Sequence, residues 1–353
     1  MKKRVMLFLT ATILGTALLL SCGGRSAEKS DGEGKAESTH LTMYCALPET
    51  EIPSYLEAFK EDTGITVDFV RLSAGEVLSK VQVEKNNPQA SIWYGGNCDT
   101  FIAAAANDLL EPYKSSELIN IPASYQDPDG YWSPVYVGAL AFAVNKEWFA
   151  DHSLSYPTSW NDLLDPQYKD QISMAHPGSS GTAYTILATM VQMLGEEEAM
   201  AYMKELDKNI RQYTKSGSAP PKNVGLGEAS IGLAFSHDCL KPAVQGYPVE
   251  TVFPKDGTGY EIGAIAIIKN GPKEEHENAK KFIDWVLSER AQDIYSQNSS
   301  FRLPVNMHAQ VPSGAISIDK LPIIEYDFIW AGENRKRLIE KFSDVVSNAN
   351  NLK

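Results

Sequence analysis

The sequence predicts an α/β protein with two lobes, each built on a mostly parallel sheet flanked by helices. Strand-like and helix-like segments alternate along most of the chain, which is typical of parallel strands joined by helical crossovers. The first 21 residues look like a removable signal, and the 332 residues that remain exceed what one ordinary core uses. We expect a later apolar segment, residues 261–268, to form a strand that leads the chain from the second lobe back to the first.

The N-terminus has the marks of a secretory signal that ends in a lipid-attachment site. Three basic residues precede a 16-residue apolar run, and Leu19-Leu20-Ser21-Cys22 resembles a bacterial lipobox. The run is shorter than the ~20 residues that span a bilayer. We therefore expect a mature protein that begins at Cys22 and is anchored to a membrane outside the cytoplasm. An ordinary signal peptide with an incidental cysteine, or a spanning helix, is the alternative.

The signal is followed by a predicted tether and then by the folded part. The tether is rich in Gly, Ser, Glu and Lys and has too few large apolar residues to form a core. The expected organisation is a signal at 1–21, a tether at 22–40, a first lobe from 41–144 and 269–353, and a second lobe from 145–268.

The elements of the first lobe follow from periodicity and helix-end signals. Gly64 after a helical pattern predicts a left-handed helix end, and Ser73 with Glu76 forms a capping box that opens the next helix. Alternating apolar residues predict the strand between them. In order, we expect a strand at 41–46, a helix at 49–61, a strand at 65–71, a helix to about 86, a strand at 90–94, a helix at 99–107 and a strand at 138–144.

The elements of the second lobe, and those that follow when the chain re-enters the first lobe, are also predicted from periodicity and helix-end signals. We expect a strand at 172–175, a helix at 182–194, strands at 230–235 and 249–253, the returning strand at 261–268, helices at 275–287 and 289–297, and a last helix from about 334.

Charge and motifs exclude several classes of function. The chain carries −13, and about −16 without its basic signal, which argues against nucleic-acid binding. We find no P-loop, nucleophile elbow or zinc-ligand spacing, so we predict no enzyme, no cofactor and no metal. Beyond the lipobox the cysteines are Cys45, Cys98 and Cys239. They are either three buried thiols or one disulfide between Cys45 and Cys98 with a free third.

Candidate binding residues are those that follow the predicted strands, because ligands of open α/β sheets bind beyond the carboxyl ends of the strands. Glu261 is included because it stands where the chain crosses back between lobes. The set is Tyr44, Cys45, Ser73, Gly96, Asn97, Ser179, Ser180, Gly181, Thr182, His237, Asp238 and Glu261.

Residues 179–182 are the best candidate for an anion site in the sequence. They combine free backbone N–H groups, hydroxyl donors and a glycine at the start of a helix, although a plain helix cap is the alternative. Asp238 and His237 suit ligand hydroxyls, or else Asp238 caps the next helix and His237 faces solvent. Glu261 meets either a ligand or a structural ion-pair partner.

At these residues the chain resembles a known family, the extracytoplasmic solute-binding proteins of ABC importers, in the branch that includes ferric-iron binders. The resemblance rests on residues 80–90 leading to Trp93-Tyr94-Gly95-Gly96, on Leu109-Leu110-Glu111-Pro112-Tyr113, and on Gly225-Leu226-Gly227-Glu228. It implies the two-lobed periplasmic-binding-protein fold of type II, with a hinge of two crossing strands. It also implies a monomer that grips a ligand in its cleft and docks on a permease.

The position that carries two adjacent tyrosines in the iron binders holds His237-Asp238 here. With Glu261, this pair resembles the subgroup that binds hexose phosphates. The resemblance implies that these three residues hold sugar hydroxyls, while Ser180, Gly181 and Thr182 hold the phosphate. A ferric-iron or iron–anion binder, or a binder of another phosphorylated or phosphonate metabolite, is the alternative. A phosphatase and a surface adhesin are the rivals from other classes.

Overall fold

The structure, a computed structural model, describes residues 38–346. The predicted signal, the lipidation site Cys22 and most of the predicted tether lie outside the described residues. Within the described range, no helix combines the length and the apolar character needed to cross a membrane.

The observed strands and helices follow one another as the alternating pattern predicts. The strands are β1 (His40–Cys45), β2 (Thr66–Arg71), β3 (Ile92–Asn97), β4 (Leu110–Glu111), β5 (Ser133–Asn145), β6 (Ile172–Ala175), β7 (Ile210–Thr214), β8 (Ile231–Phe235), β9 (Val249–Val252), β10 (Tyr260–Ile268) and β11 (Leu303–Pro304). The helices are α1 (Ile52–Thr63), α2 (Ala74–Val83), α3 (Cys98–Ala106), α4 (Lys146–Asp151), α5 (Gly181–Leu194), α6 (Glu196–Asp207), α7 (Ala219–Gly225), α8 (Ser236–Val244), α9 (His276–Leu287), α10 (Glu289–Gln297) and α11 (Phe328–Val345).

Two mostly parallel groups of strands are joined by an antiparallel pair. The main order is β2-β1-β3-β10-β5-β8-β6-β7. β1 runs parallel to β2 and β3, and β6 runs parallel to β7 and β8. β10 and β5 are antiparallel to each other and to their outer neighbours. The prediction of a two-lobed α/β fold with a two-strand hinge is confirmed.

Each lobe has its own hydrophobic core. The first core contains side chains such as Phe59, Trp93 and Phe282. The second contains Tyr184 and Phe342, and a small third cluster lies beside it around Cys239. We call the elements around the first core lobe 1, and those around the second and third cores lobe 2.

β5 belongs to both lobes, which explains its length and its complete burial. Its 13 residues are all buried. Val135 and Val137 lie in the first core, whereas Leu140 and Phe142 lie in the second. β5 and β10 therefore carry the chain between the lobes.

The helix-end signals of lobe 1 are present as predicted. Gly64 ends α1 with φ of 74°, a conformation that costs little only for glycine. Both halves of the capping box at Ser73 and Glu76 are formed at the start of α2, and the Ser73 N–H donates to Glu76 Oε2 at 2.9 Å. These local contacts orient the first turn of α2 toward the cleft.

The last helix differs from its prediction in its start and packs against both lobes. α11 begins at Phe328, because Asp327 caps it by accepting a hydrogen bond from the Trp330 N–H at 2.9 Å. Its Leu338 and Phe342 lie in the second core, while its Arg335 lies 3.5 Å from Asp99 of α3 in lobe 1. α11 thus contacts both lobes, and the expected domain boundaries stay a prediction.

The three cysteines of the described range are free and buried. This agrees with the thiol alternative and not with a disulfide between Cys45 and Cys98. Burial raises the pKa of the Cys45 thiol to about 12, so it is protonated and unreactive at neutral pH.

Candidate functional site

A small cavity lies between the lobes, at the carboxyl ends of the strands. Its volume is about 40 Å³, which is room for a few water molecules at most. A larger ligand therefore enters only when the lobes move apart. The lining residues are Ala46, Pro48, Arg71, Ser73, Ala74, Gly96, Asn97, Tyr136, Ser180, Gly181, Thr182, Ser216, Gly217, Ser218, Phe235, Asp238, Glu261 and Arg302.

One side of the cavity is formed by the N-terminus of α5. The Ser180 side chain caps this helix by accepting a hydrogen bond from the Ala183 N–H at 3.3 Å. Gly181 is the first helical residue and Thr182 follows it, so the positive end of a 14-residue helix points at the cavity. A side chain at Gly181 would collide with the Asn97 side chain. The glycine is thus required for close approach of the two lobes.

Arg71 adds a positive charge to the same side. It is the last residue of β2, and its guanidinium donates to the Leu47 carbonyl at 3.2 Å and to Ser216 Oγ at 2.9 Å. Ser216 Oγ lies 3.0 Å from Ser218 Oγ. Backbone N–H groups, hydroxyls and a guanidinium are the donors that bind an oxyanion best. We call this side the donor wall.

A second group of residues at the cavity carries two buried carboxyl groups and a buried imidazole. Asp238 and His237 lie in the first turn of α8, and Glu261 is the second residue of β10. His237 Nε2 lies 3.6 Å from both Asp238 Oδ2 and Glu261 Oε1. All three side chains are almost fully buried. We call this group the carboxyl wall.

The carboxyl wall has three different protonation tendencies. Burial raises the pKa of Glu261 well above its usual range, and Arg302 only partly opposes this. Burial acts the same way on Asp238, but Lys241 and Arg302 reverse it and hold the pKa of Asp238 below its usual range. Burial lowers the pKa of His237 far below 6.5. The surroundings therefore favour the ionised form of Asp238 and the neutral forms of Glu261 and His237.

A buried network of charges supports the carboxyl wall. Glu51 forms ion pairs with Arg302 and Lys241 and accepts a hydrogen bond from Ser300 Oγ at 3.0 Å. Lys241 Nζ donates to Asp238 Oδ1 at 2.9 Å. The Arg302 guanidinium lies 4.8 Å from the ring centre of Tyr136. Each charged group is paired, as burial requires.

The lobes are in direct contact around the cavity, so the structure is in a closed form. The Gly75 N–H at the start of α2 donates to the Ser179 carbonyl at 3.0 Å. Asn97 Nδ2 donates to Thr185 Oγ1 on α5 at 3.2 Å. Both bonds join lobe 1 to lobe 2.

Most of the residues predicted from the sequence meet at this cavity. Those that line it are Ser73, Gly96, Asn97, Ser180, Gly181, Thr182, Asp238 and Glu261. His237 belongs to the carboxyl wall but does not line the cavity, and its ring stacks on Phe235. In the described residues its Nδ1 has no hydrogen-bond partner. The solvent-facing alternative for His237 is thus wrong.

Three predicted residues lie elsewhere. The Tyr44 hydroxyl donates to Glu84 at 2.6 Å at the end of α2, and Cys45 is part of the first core. β1 delivers its next residues, Ala46 and Pro48, to the cavity instead. Ser179 turns its hydroxyl to the Lys215 carbonyl at 3.0 Å.

The sequence reasoning missed Arg71, the loop Ser216–Ser218, and Arg302. Arg71 ends a predicted strand, so the strand-end rule could have included it. Ser216 and Arg302 are 145 residues or more from Arg71 in sequence, and no local motif links them. In the part of the chain that the structure describes, no group of three or more His, Cys, Asp or Glu residues is arranged to hold a metal ion.

Comparison with known proteins gives a consistent result. Residues 98–331 match the family model described as bacterial extracellular solute-binding protein. An uncharacterized protein of Haemophilus influenzae is 39% identical over 339 residues, covering 94% of this chain and 96% of its own. Iron uptake protein A1 of Synechocystis is 26% identical over 308 residues, or 83% of each chain.

Among solved structures, the periplasmic binding protein AfuA from Actinobacillus pleuropneumoniae, with exogenous fructose-6-phosphate bound, superposes with a TM-score of 0.85. Its sequence identity to this chain is 39%, and the match covers 88% of this chain and 99% of AfuA. The similarity thus extends over both lobes.

Proposed function

Because the chain belongs to the bacterial extracellular solute-binding proteins, we propose that it captures a phosphorylated sugar, a hexose phosphate, in the cavity between its lobes. As a member of this family it is a periplasmic solute-binding protein of an ABC importer and not an enzyme. Its small-molecule ligand is passed on to the permease. The identity of that ligand is the subject of the proposal.

The observation that carries the proposal is the chemical contrast between the two walls of one cavity. The donor wall supplies an arginine, hydroxyls and a helix N-terminus, which suit a phosphate. The carboxyl wall supplies Asp238 and Glu261, which suit hydroxyls that both donate and accept. A phosphate placed at Asp238 would be repelled. A ligand with a phosphate at one end and hydroxyls at the other satisfies both walls.

The similarity to AfuA supports the same ligand class. AfuA was solved with fructose-6-phosphate, and its 39% identity to this chain exceeds the 26% of iron uptake protein A1. Because the cavity is small, the lobes must move apart to admit the ligand. They then close over it and bury both of its ends.

A ligand screen with the mature chain tests the proposal. Thermal unfolding would be followed with fructose 6-phosphate, glucose 6-phosphate, fructose, inorganic phosphate, 2-aminoethylphosphonate and ferric citrate. A ligand at 100 times its dissociation constant adds about 2.7 kcal/mol to the free energy of unfolding. We expect a hexose phosphate to stabilise the protein in this way, and we expect no such stabilisation from fructose and phosphate added together.

The other arms of the screen identify the alternatives. Stabilisation by ferric citrate alone, with a visible charge-transfer band, would show that the protein binds ferric iron instead of a sugar phosphate. Stabilisation by 2-aminoethylphosphonate alone would support the donor wall as an anion site and contradict the proposal of a sugar ligand. No response to any compound would contradict a small-molecule site of this chemistry.

A further inference from the structure

Lys241 contacts a carboxylate on each lobe. It lies on α8 in lobe 2, where its Nζ donates to Asp238 Oδ1 at 2.9 Å. The same Nζ forms an ion pair with Glu51, the residue that precedes α1 in lobe 1. One ammonium group therefore joins the ligand wall of one lobe to the edge of the other.

This junction is largely removed from water. The side chain of Lys241 is 20% exposed, and those of Glu51 and Asp238 are 6% and 7% exposed. Removing one partner from such a pair leaves a buried charge with less compensation, which is costly in the closed form. When the lobes separate, Glu51 and Lys241 part and each regains solvent.

Glu51 is held ready for this contact within its own lobe. Its carboxylate also pairs with Arg302 and accepts a hydrogen bond from Ser300. These partners belong to lobe 1 and stay with Glu51 when the lobes open. Closure therefore adds a cation to a carboxylate whose position is already determined.

Lys241 also determines how Asp238 faces the cavity. It occupies Oδ1 of Asp238. The other oxygen, Oδ2, lies 3.6 Å from His237 Nε2. This leaves Oδ2 to accept a hydrogen bond from a ligand hydroxyl. Lys241 thus orients the carboxylate without touching the ligand site itself.

We propose that Lys241 is a positioning residue that couples ligand capture to lobe closure: it presents Asp238 to the ligand and locks onto Glu51 when the cleft closes. The ligand half of this inference rests on the proposed function. The locking half rests only on the interlobe ion pair. A bound ligand then leaves only after the pair of Lys241 and Glu51 breaks, so the pair governs dissociation more than association.

A double-mutant cycle tests the coupling. Fructose 6-phosphate binding to the mature chain would be followed by stopped flow for the wild type, Glu51→Gln, Lys241→Met and the double variant. We expect Glu51→Gln to raise the dissociation rate constant roughly tenfold and to change the association rate constant less than about twofold. The double variant should raise the dissociation rate constant by less than the product of the two single effects, since the shared contact is lost only once.

The matched control is Lys341→Met on α11, which removes two ion pairs, with Glu196 and Glu197 of α6, and does not line the cavity. It should leave both rate constants unchanged. Additive effects in the cycle, or a dissociation rate constant for Glu51→Gln equal to the control, would overturn the proposal. A variant that merely folds poorly would lower the bound fraction without changing the ratio of the two rate constants.

Small-angle scattering of the ligand-free protein separates this inference from the proposed function. If fructose 6-phosphate fails to bind the wild type, the proposed function fails. The ion pair between Lys241 and Glu51 still predicts how far the ligand-free lobes close. Lys241→Met should have a larger radius of gyration than the wild type and the Lys341→Met control, because it closes less. An equal radius for all three would overturn the locking role.

Discussion

Asp238 and Glu261 are two carboxyl groups on one wall whose surroundings drive their pKa values in opposite directions. Lys241 and Arg302 stabilise the ionised form of Asp238, whereas for Glu261 burial outweighs the attraction of Arg302 and favours the acid form. Pairs of titratable groups tuned apart in this way divide donor and acceptor roles between them. Asp238 then serves as the charged acceptor, and Glu261 as a neutral group that both donates and accepts.

This difference predicts unequal results for isosteric amides. Asp238→Ala and Glu261→Ala should each weaken hexose-phosphate binding roughly tenfold or more, because a buried hydroxyl loses its partner. Glu261→Gln should keep most of the affinity, since a neutral side chain replaces a neutral one. Asp238→Asn should lose nearly as much as Asp238→Ala.

Isothermal titration with fructose 6-phosphate measures these four affinities, and circular dichroism verifies that each variant is folded. Equal losses for Asp238→Asn and Glu261→Gln would contradict the assigned protonation states. Unchanged affinity in both alanine variants would contradict the carboxyl wall as a ligand site.

At the residue scale, the sequence predicted the parts of the site that follow buried strands. Asp238 and Ser180 could be located because polar residues after an apolar strand reach the cleft in this class of fold. Tyr44 failed the same rule because it is the penultimate residue of β1 and bonds to Glu84. Arg302 could not be found, since its place depends on packing between distant segments.

At the element scale, the hinge strand β10 separates two environments by the alternation of its side chains. Glu261 lines the ligand cavity, and its neighbour Ile262 lies in the first core. A one-residue slip of β10 would exchange them, placing an isoleucine in the cleft and a carboxyl group in the core. The pairing of β10 with β5 is thus part of the site.

Elements with clear end signals were predicted well, and those without were missed. The capping box at Ser73 and the glycine at 64 gave the start of α2 and the end of α1. α6, α7 and β7 were not predicted at all. Their patterns are short or interrupted, as by the two prolines in the first turns of α7, and tertiary packing rather than local sequence determines them.

The glycine that ends α1 gives a prediction at this scale. Gly64→Ala should lower the free energy of unfolding by about 1 kcal/mol, because a left-handed φ strains an L-residue. No atom lies within 4 Å of the added methyl group, so strain is the sole cost in the described surroundings. Urea unfolding measures the loss.

Gly64→Asn is the matched control, since asparagine tolerates this conformation better than alanine. It should be less destabilised than Gly64→Ala. Hexose-phosphate affinity should not change in either variant, because Gly64 is remote from the cavity lining. A stability of Gly64→Ala equal to the wild type would show that the helix end rearranges at no cost.

At the scale of the whole molecule, closure depends on how closely the first turn of α2 approaches the loop before α5. The added Cβ of Gly75→Ala would lie 2.5 Å from the Gly178 carbonyl oxygen and 2.8 Å from that of Ser179. These backbone atoms belong to the other lobe and cannot move aside cheaply. The closed form should be excluded while each lobe keeps its fold.

Gly75→Ala should therefore bind fructose 6-phosphate at least tenfold more weakly, and its scattering profile should stay that of the open form at saturating ligand. The control is Ser79→Ala on the same helix, which removes only a hydrogen bond to the Gly75 carbonyl. Full affinity in Gly75→Ala would mean that ligand binding does not require this closed form.

The composition of the first core determines when lobe 1 can finish folding during synthesis. Its side chains come from positions as far apart as Leu41 and Val305, and β11 at Leu303–Pro304 completes the pairing of β5. Lobe 1 cannot be finished until the ribosome has made about six-sevenths of the polypeptide. Contacts so distant in sequence form slowly. Until residue 305 has been synthesised, the earlier segments of lobe 1 therefore lack part of their core.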